Sequence, residues 1–191
     1  MKKQTLKLEY NSPVILSFAL LSLLVLGLDA LTGGESTRRL FCVYRAPFSD
    51  LLTYPRMVLH VLGHSGWAHY LSNMTLLLVV GPPLEERYGS GRLLWCIFLT
   101  ALVSGLIQFF FFPGTALLGA SGIVFMLILL SSLSGMGQGT IPLTFLLVAC
   151  IYLGEELLNA LSGDDNISQL THIVGGLCGS VLGVAMRHKK F

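Results

Sequence analysis

Long apolar stretches separated by short polar islands make up most of this chain. A helix needs roughly 18 to 20 apolar residues to cross the hydrocarbon core of a bilayer. Lipid offers the backbone no hydrogen bonds, so only helices or closed barrels can span it, and uninterrupted apolar runs favour helices over the alternating strands of a barrel. The pattern therefore predicts an all-α membrane protein.

The apolar stretches divide into six predicted membrane helices, of which the fourth is unusually short. They cover residues 13–31, 66–80, 93–112, 121–133, 141–161 and 169–186. No internal repeat or long linker interrupts them, so residues 1–191 are predicted to form a single membrane domain. A cleaved signal peptide competes for the first segment, but its long apolar run is followed by no clear small-residue cleavage site.

The distribution of basic residues predicts the orientation of the helices, because loops on the cytoplasmic side carry an excess of lysine and arginine. With the N-terminus inside, eight basic residues fall on the cytoplasmic side and four fall outside. The inner set is Lys2, Lys3, Lys7, Arg87, Arg92, Arg187, Lys189 and Lys190, and the outer set is Arg38, Arg39, Arg45 and Arg56. Both termini are therefore predicted to be cytoplasmic.

Composition excludes several function classes. Only 12% of the residues are charged, about half the usual share of a soluble domain, and the net charge of +2 gives no reason to expect a nucleic-acid partner. The four cysteines predict neither a disulfide framework nor a catalytic thiol. His60, His64 and His69 are an alternative metal cluster, but no carboxylate or cysteine joins them at ligand spacing. Neither a metal nor a cofactor is predicted.

The fourth segment opens with Gly119, Ala120, Ser121 and Gly122. Its length of 13 residues gives about 20 Å of helix against a core of about 30 Å. Ser121 is therefore expected roughly 10 Å below the outer surface. A serine at a helix N-terminus lies among unpaired backbone N–H groups, which suit a developing oxyanion. The alternative is that these small residues only let helices pack closely.

A partner base decides between these two interpretations, and His172 in the sixth segment supplies one. It lies about 22 Å of helix above Arg187, a depth similar to that of Ser121. Gly175, Gly179 and Gly183 follow on one face and allow the fourth segment to pack at close backbone distance. Ser121 and His172 are therefore predicted to come within hydrogen-bond reach, as nucleophile and base.

The second segment carries His69 and Asn73, four residues apart and so on one helix face. Both are expected in the outer part of the membrane, level with Ser121. Side-chain N–H donors at that depth are able to hold the oxyanion of a tetrahedral intermediate.

Five motifs in this order resemble the rhomboid family of intramembrane serine proteases, over about Arg56 to Gly183. They run from His60 to Asn73, from Glu85 to Gly91, from Ser104 to Gln108, from Gly119 to Gly122 and from His172 to Gly179. The resemblance implies a six-helix rhomboid-like bundle with a short fourth helix. It also implies that Ser121 and His172 are catalytic and that His69 and Asn73 bind the oxyanion.

The resemblance implies supporting roles for Arg56, Glu85, Ser104, Gln108 and Phe125, and His64 is a sixth supporting candidate. Glu85 is expected to be structural, Arg56 to order the outer loop, and Ser104 and Gln108 to feed water to the site, with His64 as a further candidate for that role.

Two positions depart from the family. Pro55 stands where a tryptophan is frequent, and Phe125 stands where a tyrosine often stacks on the base. Phe125 keeps the ring and loses the hydroxyl.

The implied function is an endopeptidase that cleaves membrane-spanning segments near their outer end, with such proteins and the lipid bilayer as partners. Its expected location is the plasma membrane of a bacterium, with the site opening to the extracytoplasmic side, and no oligomeric state is predicted. The alternative is a non-catalytic rhomboid-like protein that binds membrane segments, although such relatives lack the serine or the histidine. A channel ranks last, because the inner halves of segments three, four and six have few polar residues.

Overall fold

The computed structural model describes residues 9–134, 136, 140–162 and 166–186. Within them the chain is mostly α-helical. The helices are α1 Pro13–Thr32, α2 Glu35–Leu40, α3 Thr53–Leu59, α4 Trp67–Tyr88, α5 Ser90–Phe111, α6 Ser121–Leu133, α7 Leu143–Ser162 and α8 Asn166–Met186. A 3-10 helix, His60–Leu62, follows α3, and two short strands are β1 Val43–Tyr44 and β2 Ala116–Leu117.

Each predicted segment corresponds in order to one helix of at least 13 residues, and α6 has the predicted bounds. The predicted end of the second segment at residue 80 was wrong, because α4 continues through Pro82 and Pro83 to Tyr88. Proline removes hydrogen bonds from a helix interior. Here Leu84 and Glu85, just beyond the prolines, are buried, so tertiary packing outweighs the local cost.

Two of the described helices, α1 and α5, are long and apolar enough on their own to span a membrane. The other apolar helices in the described part of the chain are shorter, Ser121–Leu133 and the His172–Met186 part of α8. Six crossings and cytoplasmic termini therefore stay predictions. Half of the basic residues behind the predicted orientation lie outside the described residues, namely Lys2, Lys3, Lys7, Arg187, Lys189 and Lys190.

The loop between α1 and α4 is structured. Besides α2 and α3 it contains β1, which pairs antiparallel with β2, so that Val43 lies opposite Leu117 and Tyr44 opposite Ala116. Strands of two residues are too short to show a period of two, so these strands were not predicted. The pairing ties this loop to the segment that leads into α6.

Arg56 holds the same loop together and is only 4% exposed. Its Nε donates to the carbonyl oxygen of Arg39 at 2.7 Å, and its Nη1 donates to Asp50 Oδ2 at 2.7 Å. The guanidinium also lies over the ring of Tyr44, 4.7 Å from its centroid. The hydrogen bond from Arg56 lowers the pKa of Asp50 below its usual value. These contacts are those of a residue that orders the loop.

Glu85 joins α4 to the start of α1. Its two carboxylate oxygens accept the backbone N–H groups of Val14 and Ile15 at 2.9 and 3.0 Å, and Ser90 Oγ donates to Oε1 at 2.7 Å. The first N–H groups of a helix have no partner within it, so a buried carboxylate at this end satisfies them and complements the helix dipole.

We expect Glu85→Ala to lower the free energy of unfolding by about 2 to 4 kcal/mol, because it leaves buried N–H groups without an acceptor. Thermal unfolding in detergent, followed by circular dichroism, measures the change. Glu86→Ala is the matched control, since Glu86 is exposed on the same turn. Equal melting temperatures for the two variants would contradict the capping role.

The core is centred on α6, whose inward side chains are fully buried, among them Ile123, Met126 and Leu130. The predicted glycine contact between α6 and α8 is confirmed. A Cβ atom at Gly175 would overlap the carbonyl group of Gly122, and one at Gly179 would overlap the carbonyl group of Met126. At Gly183 the neighbours are leucine side chains of α6. The two backbones therefore touch along the stripe, which fixes α8 against α6.

Candidate active site

Ser121 is the first residue of α6, and the segment before it is anchored on both sides. β2 pairs with β1, and the backbone N–H of Gly119 donates to the carbonyl oxygen of His60 at 3.0 Å. Gly119 has φ +122°, a conformation that side-chain-bearing residues rarely adopt. The chain therefore turns sharply at Gly119 and presents Ser121 half-buried at the helix N-terminus.

An open cavity of about 270 Å³ lies at this helix end. It is lined by His69, Ser72, Asn73 and Leu76 of α4, by Ser121, Val124 and Phe125 of α6, and by His172 of α8. Three helices therefore bring the two predicted catalytic residues and the two predicted oxyanion donors to one space. Within the described chain, the lining includes no carboxylate, and no group of three or more metal-ligating side chains occurs.

The ring of Phe125 stacks on the imidazole of His172. Their centroids are 4.3 Å apart and their planes differ by 4°. Gly175, three residues after His172, touches the backbone of Gly122, which directly follows Ser121. The stacking orients the imidazole, and the glycine contact keeps the first turn of α6 close to the helix that carries it.

His69 and Asn73 approach the site from α4. A Cβ atom built at Gly119 would lie 2.8 Å from both Cε1 and Nε2 of His69 and 4.0 Å from Nδ2 of Asn73. The Nε2 edge of the imidazole therefore faces the turn before Ser121. Asn73 is buried, and its Nδ2 donates to the carbonyl oxygen of His69 at 3.1 Å. That bond uses one amide hydrogen and leaves the second for the cavity.

Under the protease function that the motifs imply, we expect Gly119→Ala to reduce cleavage at least about tenfold, because the new methyl group meets the His69 ring and φ +122° is strained for alanine. Initial rates on a membrane-spanning test substrate measure the loss. Gly114→Ala is the matched control in the same segment, since a Cβ atom there meets nothing within 4 Å. Equal rates for the two variants would contradict the placement of His69.

The residues predicted to handle water lie away from the cavity lining. Ser104 Oγ donates to the carbonyl oxygen of Thr100 at 2.8 Å, and Gln108 Nε2 donates to Thr115 Oγ1 at 3.0 Å. His64 is fully buried, with its ring edge-on to that of His69 at 5.0 Å. Their role in feeding water stays a prediction.

Three lining residues were missed by sequence reasoning, namely Ser72, Leu76 and Val124. Ser72 and Leu76 follow His69 by three and seven residues, and Val124 follows Ser121 by three. Such spacings place residues on one helix face, so the helical period was the signal that could have found them.

Comparison with known proteins decides the family. The sequence profile of the rhomboid domain matches residues 52–189. The chain belongs to the rhomboid family. The resemblance seen in its motifs is thereby confirmed.

Several rhomboid relatives are similar over most of this chain. Rhomboid protease GluP of Bacillus subtilis is 30% identical over 83% of it, and rhomboid protease GlpG of Pectobacterium atrosepticum is 28% identical over 94%. Rhomboid-related protein 1 of Caenorhabditis elegans is 30% identical over 67%. The matched regions cover 32%, 64% and 38% of these relatives, so the chain spans about a third to just under two thirds of their lengths.

Proposed function

We propose that this rhomboid is an intramembrane serine endopeptidase with Ser121 as nucleophile and His172 as base. One observation carries the proposal: Ser121 and His172 line a single open cavity, with the imidazole stacked on Phe125. Two relatives that cover most of the chain are named as rhomboid proteases, which supports the same reaction class.

The reaction follows from a serine–histidine dyad. His172 takes the proton of Ser121 Oγ as the oxygen attacks a peptide carbonyl carbon, and then gives it to the leaving amine. Water then attacks the acyl-enzyme. His172 takes a proton from this water and gives it to Ser121 Oγ as the acyl group leaves. Stacking by Phe125 holds the imidazole of His172 in a fixed plane and so helps to orient the base.

The oxyanion of the tetrahedral intermediate is held by His69, Asn73 and the backbone N–H groups at the start of α6. Each preorganised donor of this kind contributes about 3 to 4 kcal/mol in enzymes where it has been removed. The Nε2 edge of His69 and the amide of Asn73 both approach the turn before Ser121, which supports this assignment.

The substrates are membrane-spanning proteins cut near the outer end of the span. A helix hides its own carbonyl groups in hydrogen bonds, so glycine or proline near the cut assists local unwinding. Small residues at the cut site are what family membership implies. No nucleic acid, metal or cofactor takes part in this scheme.

The proposed setting is a bacterial plasma membrane, with six crossings by one domain, both termini cytoplasmic and the cavity open to the extracytoplasmic side. The eight-to-four split of basic residues supports this orientation. The short α6, with only 13 residues, supports a site below the outer surface.

Cleavage by the purified wild-type protein tests the proposal. A single-span substrate with small residues and a glycine in the outer part of its span, between two soluble tags, is incubated with the protein in detergent. We expect two fragments, and N-terminal sequencing should locate the cut in the outer part of the span. A substrate with an uninterrupted polyleucine span should resist. If the first substrate instead stays intact and co-purifies with the protein, a binding function replaces the proposed one.

A further inference from the structure

The hydroxyl of Ser65 contacts the ring of His69 on the side away from Gly119. Ser65 lies in the exposed turn between the 3-10 helix and α4. Its Oγ is 3.1 Å from His69 Nδ1, and its backbone N–H donates to the same nitrogen at 3.4 Å. Both the hydroxyl and the backbone N–H of Ser65 therefore contact the same ring nitrogen, Nδ1 of His69.

The backbone bond determines which nitrogen carries the proton. A backbone N–H can only donate, so Nδ1 must be an acceptor without a hydrogen. The Ser65 hydroxyl, which can play either role, then donates to Nδ1 as well. In a neutral imidazole the single proton is left on Nε2.

The proton-bearing edge is the one that faces the site. Nε2 lies beside Gly119, and His69 lines the cavity together with Ser121. In the described part of the chain, Ser65 makes hydrogen bonds to this imidazole, while His64 meets the ring edge-on at 5.0 Å. The ring is thus anchored at Nδ1 and presents Nε2 to the turn before the nucleophile.

We propose that Ser65 is a positioning residue whose hydroxyl holds His69 in the tautomer with its proton on Nε2, ready to donate to the oxyanion. The proposal rests on the proposed function. In the opposite tautomer, Nε2 would turn a lone pair toward the developing negative charge and repel it. Ser65 acts through His69 and does not itself touch the reacting atoms.

The oxyanion exists only in the transition state and the tetrahedral intermediate, so loss of the Ser65 hydroxyl should act on kcat. We expect Ser65→Ala to lower kcat about tenfold, less than the 10²- to 10³-fold typical for removing a donor outright, because the backbone N–H of Ser65 remains. KM should stay within about twofold of the wild-type value. Ser65→Thr keeps a hydroxyl and should restore kcat, and Ser131→Ala on α6 is the control serine.

Nitrogen-15 NMR of histidine-labelled protein gives a readout that does not depend on cleavage. Spectra are recorded at a pH high enough for the imidazoles to be neutral. The His69 signals are assigned by their loss in His69→Asn. We expect an unprotonated Nδ1 and a protonated Nε2 in the wild-type protein, and a shift toward the other tautomer in Ser65→Ala.

A wild-type spectrum with the proton on Nδ1 overturns the proposal. So does a Ser65→Ala variant with wild-type kcat and an unchanged spectrum, or a Ser65→Thr variant no better than alanine. If the wild-type protein cleaves nothing while its His69 tautomer still depends on Ser65, the proposed function fails and the Ser65–His69 contact stands.

Discussion

Alanine at Ser121 or at His172 is expected to reduce the rate of substrate cleavage by roughly 10⁴- to 10⁶-fold. In the proposed mechanism Ser121 supplies the attacking oxygen, and without His172 the hydroxyl keeps its proton and is a poor nucleophile. The two groups act as one unit, so the double variant should be no slower than either single one. Single-turnover cleavage of the membrane-spanning test substrate measures all three rates.

Ser132→Ala is the matched control for these variants. Ser132 is on the same helix, and its Oγ donates to the carbonyl oxygen of Leu129 at 2.8 Å, far from the cavity lining. Its rate should equal that of the wild-type protein. A Ser121→Ala variant that retains more than about a tenth of the wild-type rate would show that another group attacks the peptide bond.

Alanine at Gly175 is expected to reduce cleavage at least about 100-fold, although the residue takes no part in the chemistry. Its Cβ atom would overlap the carbonyl group of Gly122, and its three nearest atoms all belong to the backbone of that residue, which cannot rotate away as a side chain can. Helix α8 must then move off α6 and carry His172 away from Ser121. Displacements near 1 Å are enough for losses of this size.

The matched control for this prediction is the same substitution on α1. A Cβ atom at Gly27 meets nothing within 4 Å, so Gly27→Ala should leave the rate unchanged and raise helix stability by up to about 1 kcal/mol. Gly175→Ala should also lower the free energy of unfolding by about 1 to 3 kcal/mol through overpacking. Wild-type kinetics for Gly175→Ala would contradict the close contact that places the dyad.

Features with a strong local signature were predictable from the sequence. The bounds of α6 follow from an apolar run between small residues, and the glycine stripe of α8 follows from spacing on one helix face. The end of α4 was not predictable in this way, because it depends on the burial of Glu85 against α1 across 70 residues. The structured loop between α1 and α4 depends on contacts of the same long-range kind, such as those of Arg56.

For the candidate site, the sequence predicted the polar residues proposed to react or to bind the oxyanion. It did not predict the other residues that line the cavity. Ser121, His172, His69 and Asn73 stand out because polar groups are costly within a membrane. The contact of Ser65 with His69 depends on a turn whose geometry no period reveals. Ser72 and Leu76 share a helix face with His69, and this spacing, rather than their residue type, is the signal that marks their place in the cavity wall.

Covalent labelling by a fluorophosphonate probe tests the central claim most directly, because it reports an activated serine without requiring the natural substrate. The serine oxygen attacks phosphorus and displaces fluoride, and mass spectrometry of peptides locates the adduct. We predict one adduct per chain on Ser121, and none in a folded His172→Ala variant, in which Ser121 is present but lacks its base. A folded wild-type protein without an adduct on Ser121, or equal labelling in His172→Ala, would contradict the dyad.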